Sequence, residues 1–248
     1  MLMGMMVAGV TLVQCGTAPP PLVARPLAPA KASTWAPPSV ARPSPSAPPS
    51  SAAPPSSAAA APAGEFSVAR VTSEDLGATW QPGCPIKPER LRRVGVDYIG
   101  FDGETHQGEL IVHEDLVRDV IAIFEKLYQL GFPIEKMRTV DHYPAADDEL
   151  SMEDNNTSAF NCRRLPGSSQ WSEHAYGRAI DVNPRLNPCV YASGKFQPHN
   201  AVAYLDRHRT DPGLLHGGDP VVRVFADHGW RWGGYWKALV DYQHFERP

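Results

Sequence analysis

Fourteen of the chain's 26 prolines fall between residues 17 and 64, which leaves 12 for the remainder of its 248 residues. The same stretch holds three charges, Arg25, Lys31 and Arg42, all basic, in a background dominated by Ala and Ser. Such a composition cannot bury enough apolar surface to offset the entropy of ordering it, so residues 16–64 are expected to be an extended, solvated linker. A single 248-residue globule is thereby excluded. Residues 65–248 are long enough for one domain with a sizeable core. Removing the linker's three basic residues from the chain's 23 leaves 20 Lys+Arg against 27 Asp+Glu, a domain charge of −7. That sign disfavours a phosphate backbone as partner, and nucleic-acid binding is not expected.

Residues 1–15 form a separate segment. MLMGMMVAGVTLVQ is apolar and uncharged, too short for a membrane-spanning helix, and of the length of a secretory signal's apolar core. Leu12-Val13-Gln14-Cys15-Gly16 resembles a bacterial lipoprotein cleavage site, in which the cysteine becomes the lipidated first residue. Gln14 is bulkier than the residue usual there, and no basic residue precedes the apolar run. The expectation is an exported, extracytoplasmic protein that touches the membrane only through a lipid anchor at Cys15. An unlipidated signal peptide is the alternative. The other cysteines, Cys84, Cys162 and Cys189, include no CxxC spacing and so no zinc knuckle. In an exported protein two of them can pair, and Cys84 with Cys162 is the preferred pair.

Within the domain, Val94, Val96 and Tyr98 alternate with polar or small residues, which predicts a half-buried strand. An Asp102-Gly103 turn and the run Gly108–Val112 complete a hairpin. A helix is predicted over 114–130, with Val117, Val120, Ile121, Phe124, Leu127 and Tyr128 on one face and Gly131 as its stop. A short strand is expected through Met137, Thr139 and Val140. The acidic run from Asp147 to Asp154 reads as a solvated loop in preference to a hard-cation site, because it lacks a calcium-loop pattern. Asp219-Pro220 begins a second helix that Gly229 ends. Trp230, Trp232 and Trp236 read as core or rim packing in preference to a stacking platform for substrate. Short strands mixed with separate helices indicate an α+β fold.

The chemistry is concentrated in Trp171-Ser172-Glu173-His174-Ala175-Tyr176-Gly177-Arg178-Ala179-Ile180-Asp181 and in Asp241-Tyr242-Gln243-His244-Phe245. His174 and His244 offer imidazole nitrogens and Asp181 a carboxylate. Ala179 to Val182 reads as a buried strand that would hold Asp181 rigidly. Two nitrogens and one oxygen suit a catalytic zinc whose fourth position is left for a water of pKa about 7. A second carboxylate must then move the proton, and Asp241, three residues before His244, can lie near the metal without being a ligand. Spacing alone is weak support, because nine histidines occur in the chain. The other seven have no comparable context.

Ser172-x-His174-x-x-Gly177-x-Ala179-x-Asp181 followed by Asp241-x-x-His244 resembles the zinc D-alanyl-D-alanine carboxypeptidase family. That family includes D-Ala-D-Ala dipeptidases and phage L-alanyl-D-glutamate endopeptidases. The resemblance, taken over most of residues 75–247, implies one Zn2+ ion on His174, Asp181 and His244. It also implies Asp241 as general acid/base, and a small antiparallel sheet with flanking helices around a zinc cleft, hedgehog/D,D-peptidase-like. The implied substrates are peptidoglycan stem peptides, cleaved as a carboxypeptidase or as an endopeptidase. A non-catalytic zinc-containing cell-wall-binding module is the alternative, since related folds can lose activity. The sequence departs from the family at one place. Val140-Asp141-His142-Tyr143-Pro144 stands where members carry a substrate-polarising arginine. Arg163, eleven residues before His174, is the candidate replacement, with Arg138 as its rival.

Overall fold

The computed structural model describes residues 64–248, so the signal-like segment, Cys15 and nearly all of the linker lie outside the described residues. The described part begins with an edge strand, β1 (Phe66–Arg70), followed by a long hairpin of β2 (Leu91–Ile99) and β3 (Thr105–His113). The three pair antiparallel in the order β1-β2-β3. Alternation in β2 sends Val94, Val96 and Tyr98 to one face, where they are buried against α1 (Val117–Gln129). Helix α1 contributes Val120, Ile123, Phe124 and Leu127 to that core, and the backbone turns out of it at Gly131 with φ +64°. The other face of the hairpin is covered near its end by a second apolar cluster of Val71, Leu76, Ile86, Leu91, Ile111 and Phe160.

Beyond residue 130 the strands shorten to two or three residues. They are β4 (Lys136–Met137), then, after helix α2 (Asp148–Glu153), β5 (Asn156–Thr157), β6 (Ala179–Asp181), β7 (Cys189–Tyr191) and β8 (Phe196–Gln197). Helix α3 (Pro220–Asp227) precedes β9 (Arg231–Trp232), β10 (Leu239–Asp241) and β11 (His244–Glu246). The architecture is α+β, but the strands form several small sheets instead of one: β1-β2-β3, β10-β7-β8 and β6-β11-β9 are antiparallel, and β4-β5 is a parallel pair. Prolines at 133, 144, 184, 188, 198 and 212 interrupt this half of the chain, and no strand there runs long enough to extend a ladder.

Two sequence expectations are corrected. Val140 lies in a 3-10 turn, Val140–His142, and the strand expected through Met137–Val140 ends at Met137. The acidic run is not a loop, because Asp147 caps α2 by accepting the Leu150 N–H at 3.0 Å. Asp148 and Glu149 then occupy the first turn, where negative charge complements the helix dipole. Trp230 and Trp232 are core residues, 3% and 5% exposed, whereas Trp236 is only half-buried. The Cys84–Cys162 disulfide is present and Cys189 is a buried free thiol.

Candidate metal centre

Three elements position the centre. In β6 and β11, alternation sends Ile180 and Phe245 into the core, where Phe245 stacks on Phe225 of α3 at 3.8 Å between ring centroids. Asp181, His244 and Glu246 therefore face the opposite way. The strand register pairs His244 directly with Asp181, which puts their side chains side by side on one face. Asp181 is fixed from the other edge as well, by reciprocal backbone hydrogen bonds with Ser158 at 2.9 and 3.0 Å. His174 comes from the 3-10 turn Glu173–Tyr176. The Ser172 hydroxyl caps that turn by accepting the His174 N–H, and Gly177 ends it at φ +67°. A Cβ at Gly177 would lie 2.7 Å from the backbone nitrogen of His113, so only glycine lets the turn sit this close to the hairpin.

The result is a tight triad. His174 Nε2 lies 3.2 Å from Asp181 Oδ2 and 3.2 Å from His244 Nδ1, which in turn is 3.1 Å from Asp181 Oδ1. All three residues are buried. The outer nitrogen of each imidazole is occupied: His174 Nδ1 meets the Ala159 carbonyl at 2.5 Å and His244 Nε2 meets Glu246 Oε2 at 3.3 Å. If those outer nitrogens carry the protons, the inner two present lone pairs to one another and to a carboxylate. Three acceptors crowded together without a donor suit a cation, and the outer partners are the kind that orient metal-binding histidines. The same crowding shows in the proton affinities of the triad. Burial opposes protonation of His244, yet its bonds to Asp181 and Glu246 push it up to about 10. Burial likewise opposes charge on Asp181, yet the facing imidazoles hold its carboxyl far below the usual range.

His174 and His244 face a cleft of about 890 Å³ that Asp148, Arg163, Glu173, Trp236, Asp241 and Gln243 also line. Asp241, at the end of β10, is held by its register with Cys189 and by the close backbone of Gly233, where a Cβ would approach the Asp241 carbonyl oxygen to 2.7 Å. Burial pushes its carboxyl up to about 6; the His244 imidazole opposes this and Asp181 adds to it. Asp241 Oδ1, Arg163 Nε and Gln243 Oε1 are buried without hydrogen-bond partners among the described residues. Orphaned polar atoms gathered around one cleft are expected where a ligand completes the bonding.

Arg163 lies in the cleft wall, paired with Asp148 of α2 at 2.8 Å. Arg138 is not among the cleft's lining residues. A second cluster, Glu149, Glu153 and His199, is partly exposed. There Glu149 accepts from the His199 backbone and from Gln197, which ties the segment after β8 to α2.

The triad, Asp241 and Arg163 stand out in the sequence, whereas Glu246, Asp148 and the Ala159 carbonyl enter the site only through the fold. Glu246 was detectable in principle, since it sits two positions after His244 on one strand and so on the same face. Residues 166–247 match the family model described as D-alanyl-D-alanine carboxypeptidase. No curated protein and no solved structure matches.

Proposed function

We propose, from the premise that residues 166–247 carry the signature of the D-alanyl-D-alanine carboxypeptidase family, that this chain is a zinc-dependent peptidase of peptidoglycan stem peptides. The observation that carries the reading is the convergence of His174, Asp181 and His244 with both outer imidazole nitrogens already engaged. These three residues would hold one Zn2+. Bound there, zinc supplies the acidity that makes water a nucleophile near neutral pH and the charge that polarises a carbonyl.

The chain's own residues account for the proton. Asp241 is held in strand β10, and its carboxyl, displaced upward toward neutrality, accepts a proton from the attacking water. As the new C–O bond forms and the C–N bond breaks, the same proton passes from Asp241 to the departing amine. Arg163 keeps its charge, because the carboxylates of Asp148, Asp181 and Asp241 outweigh the effect of burial. It is the group available to stabilise negative charge on the carbonyl oxygen. The bond cleaved is D-Ala-D-Ala or L-Ala-D-Glu, and the peptidase acts outside the cytoplasm, tethered through Cys15.

Digestion of purified peptidoglycan by the zinc-loaded protein, with products identified by mass, tests the proposal and names the bond. Asp241→Asn should retain zinc and lose turnover. Normal turnover in that variant rejects the assigned mechanism, and stem peptides of unchanged mass after digestion with wild type reject the peptidase.

A further inference from the structure

Gln243 lines the cleft, is 3% exposed, and takes no part in the proton chemistry. Its side-chain amide has one partner: Nε2 donates to the thioether sulfur of Met152 at 3.2 Å. Met152 lines the same cleft, so the amide belongs to the cleft wall. Oε1 has no partner among the described residues. Turning the amide over gives no relief, because the oxygen would then face the sulfur and the nitrogen would be the unmet group. A buried carbonyl oxygen without a donor is costly unless something outside the chain supplies one.

The backbone around Gln243 is held on both sides. Its own carbonyl accepts the Val182 N–H at 3.0 Å, and His244 follows in register with Asp181. Before it, the Tyr242 carbonyl accepts the Trp232 indole N–H at 2.8 Å, and the Arg207 guanidinium lies 4.2 Å from the centre of the Tyr242 ring. The amide is thus presented from a fixed main chain, one residue from the triad, as a preformed acceptor. Two other unmet atoms belong to cleft-lining residues, Arg163 Nε and Asp241 Oδ1. Those residues already serve charge stabilisation and proton transfer, whereas Gln243 Oε1 has no task. Arg163 offers a donor and Gln243 an acceptor, and a peptide unit carries the complementary C=O and N–H.

Resting on the peptidase reading, we propose that Gln243 Oε1 accepts one backbone amide N–H of the substrate, making Gln243 a substrate-binding residue that sets the register of the peptide over the triad. A neutral acceptor beside a thioether suits a neutral amide, since an ammonium there would lose its hydration without gaining a counter-charge from the glutamine. The zinc-loaded full chain is given L-Ala-γ-D-Glu-L-Lys-D-Ala-D-Ala and the same peptide with an ester replacing one amide at a time, which removes a single N–H at nearly constant shape. For one ester, kcat/KM of wild type should fall about 5–150-fold, the effect of leaving a buried acceptor unmet. Gln243→Met, of similar length and without the acceptor, should lose that discrimination, and Gln243→Glu, which keeps an acceptor oxygen, should keep it. A merely structural role would lower turnover of every peptide alike and leave the ratio between amide and ester unchanged. Calorimetric binding of the same peptides to zinc-loaded Asp241→Asn, with and without Gln243→Met, reads the preference without turnover and covers the ester at the cleaved bond. If no peptide is hydrolysed but one ester binds weakly and Gln243→Met abolishes the difference, the peptidase reading falls and the role of Gln243 stands. If every ester binds like the amide, as it would if an ordered water met the oxygen, the role is overturned. Survival of the preference in Gln243→Met, or no binding of any peptide, overturns it equally.

Discussion

Replacing Gly177 by alanine tests whether the turn that carries His174 is held in place by contact with the hairpin. Gly177 and Gly131 offer a matched pair. Each follows a helical turn in the left-handed region, φ +67° and +64°, and each is followed by a six-to-one hydrogen bond: Arg178 N–H to the Glu173 carbonyl at 3.0 Å, and Phe132 N–H to that of Leu127 at 3.1 Å. A side chain at either position meets the left-handed penalty of about 1–2 kcal/mol. Around Gly131 nothing lies within 4 Å of a new Cβ, so the cost should end there. At Gly177 the new Cβ would lie 2.7 Å from His113 N, 2.8 Å from Leu91 Cδ2 and 3.1 Å from Val112 C. Two of those atoms are backbone of β3 and the third belongs to a fully buried leucine, so none can rotate away. Overpacking of this kind adds about 1–3 kcal/mol, for a total of about 2–5 kcal/mol. At about 2–4 °C per kcal/mol for a domain of this size, Gly177→Ala should lower Tm by roughly 4–20 °C and Gly131→Ala by roughly 2–8 °C. Urea midpoints and calorimetry on the two variants measure the difference directly. Zinc affinity, by chelator competition, should fall in Gly177→Ala alone, because only that turn carries a triad residue. Equal destabilisation of the two variants would refute the steric argument.

Three further outcomes are expected. Glu246→Gln should weaken zinc binding about 10–100-fold in chelator competition, the usual cost of losing a partner that orients a ligand; unchanged affinity would show that Glu246 does not orient His244. With zinc saturating, kcat/KM should fall as pH drops through an acid limb, since Asp241 must be a carboxylate to accept a proton. The limb's midpoint should lie at or below about 6, because a bound dication lowers the value further, and a midpoint above neutrality would contradict the assignment. Replacing Cys84 and Cys162 together should cost about 2–5 kcal/mol in urea unfolding, since the bridge closes a separation of 78 residues, while Cys189 stays unreactive to thiol reagents in the folded protein.

The strongest local patterns were readable without coordinates. Alternation at Val94, Val96 and Tyr98 and the apolar face of α1 both report burial on one side of a regular element, and the structure places them there. The triad was legible because its three residues sit in short motifs whose other members have local work: Ser172 caps, Gly177 turns, and Ala179 and Ile180 fill buried strand positions. The remainder depended on contacts between distant segments. The Ala159 carbonyl that meets His174 has no residue identity to read, and Asp148 reaches Arg163 only because α2 folds against the cleft. Helix α2 is hidden by its acidic composition, although the Asp147 cap followed by two first-turn acids is a pattern that marks a helix start.

The disulfide has a consequence for where this domain begins. The family match starts at residue 166, and a fragment cut there would keep His174, Asp181, His244 and Asp241. It would discard the Ala159 carbonyl, Arg163 and Asp148, each of which touches the centre or its cleft wall. Cys162, one residue before Arg163, is bonded to Cys84, far upstream of the matched region. The boundary of similarity thus runs through the working parts, and the disulfide, wholly upstream of residue 166, fastens the segment that bears Ala159 and Arg163 to the chain around Cys84. Any minimal version of this protein has to be cut before Cys84, not at the point where resemblance to other proteins starts.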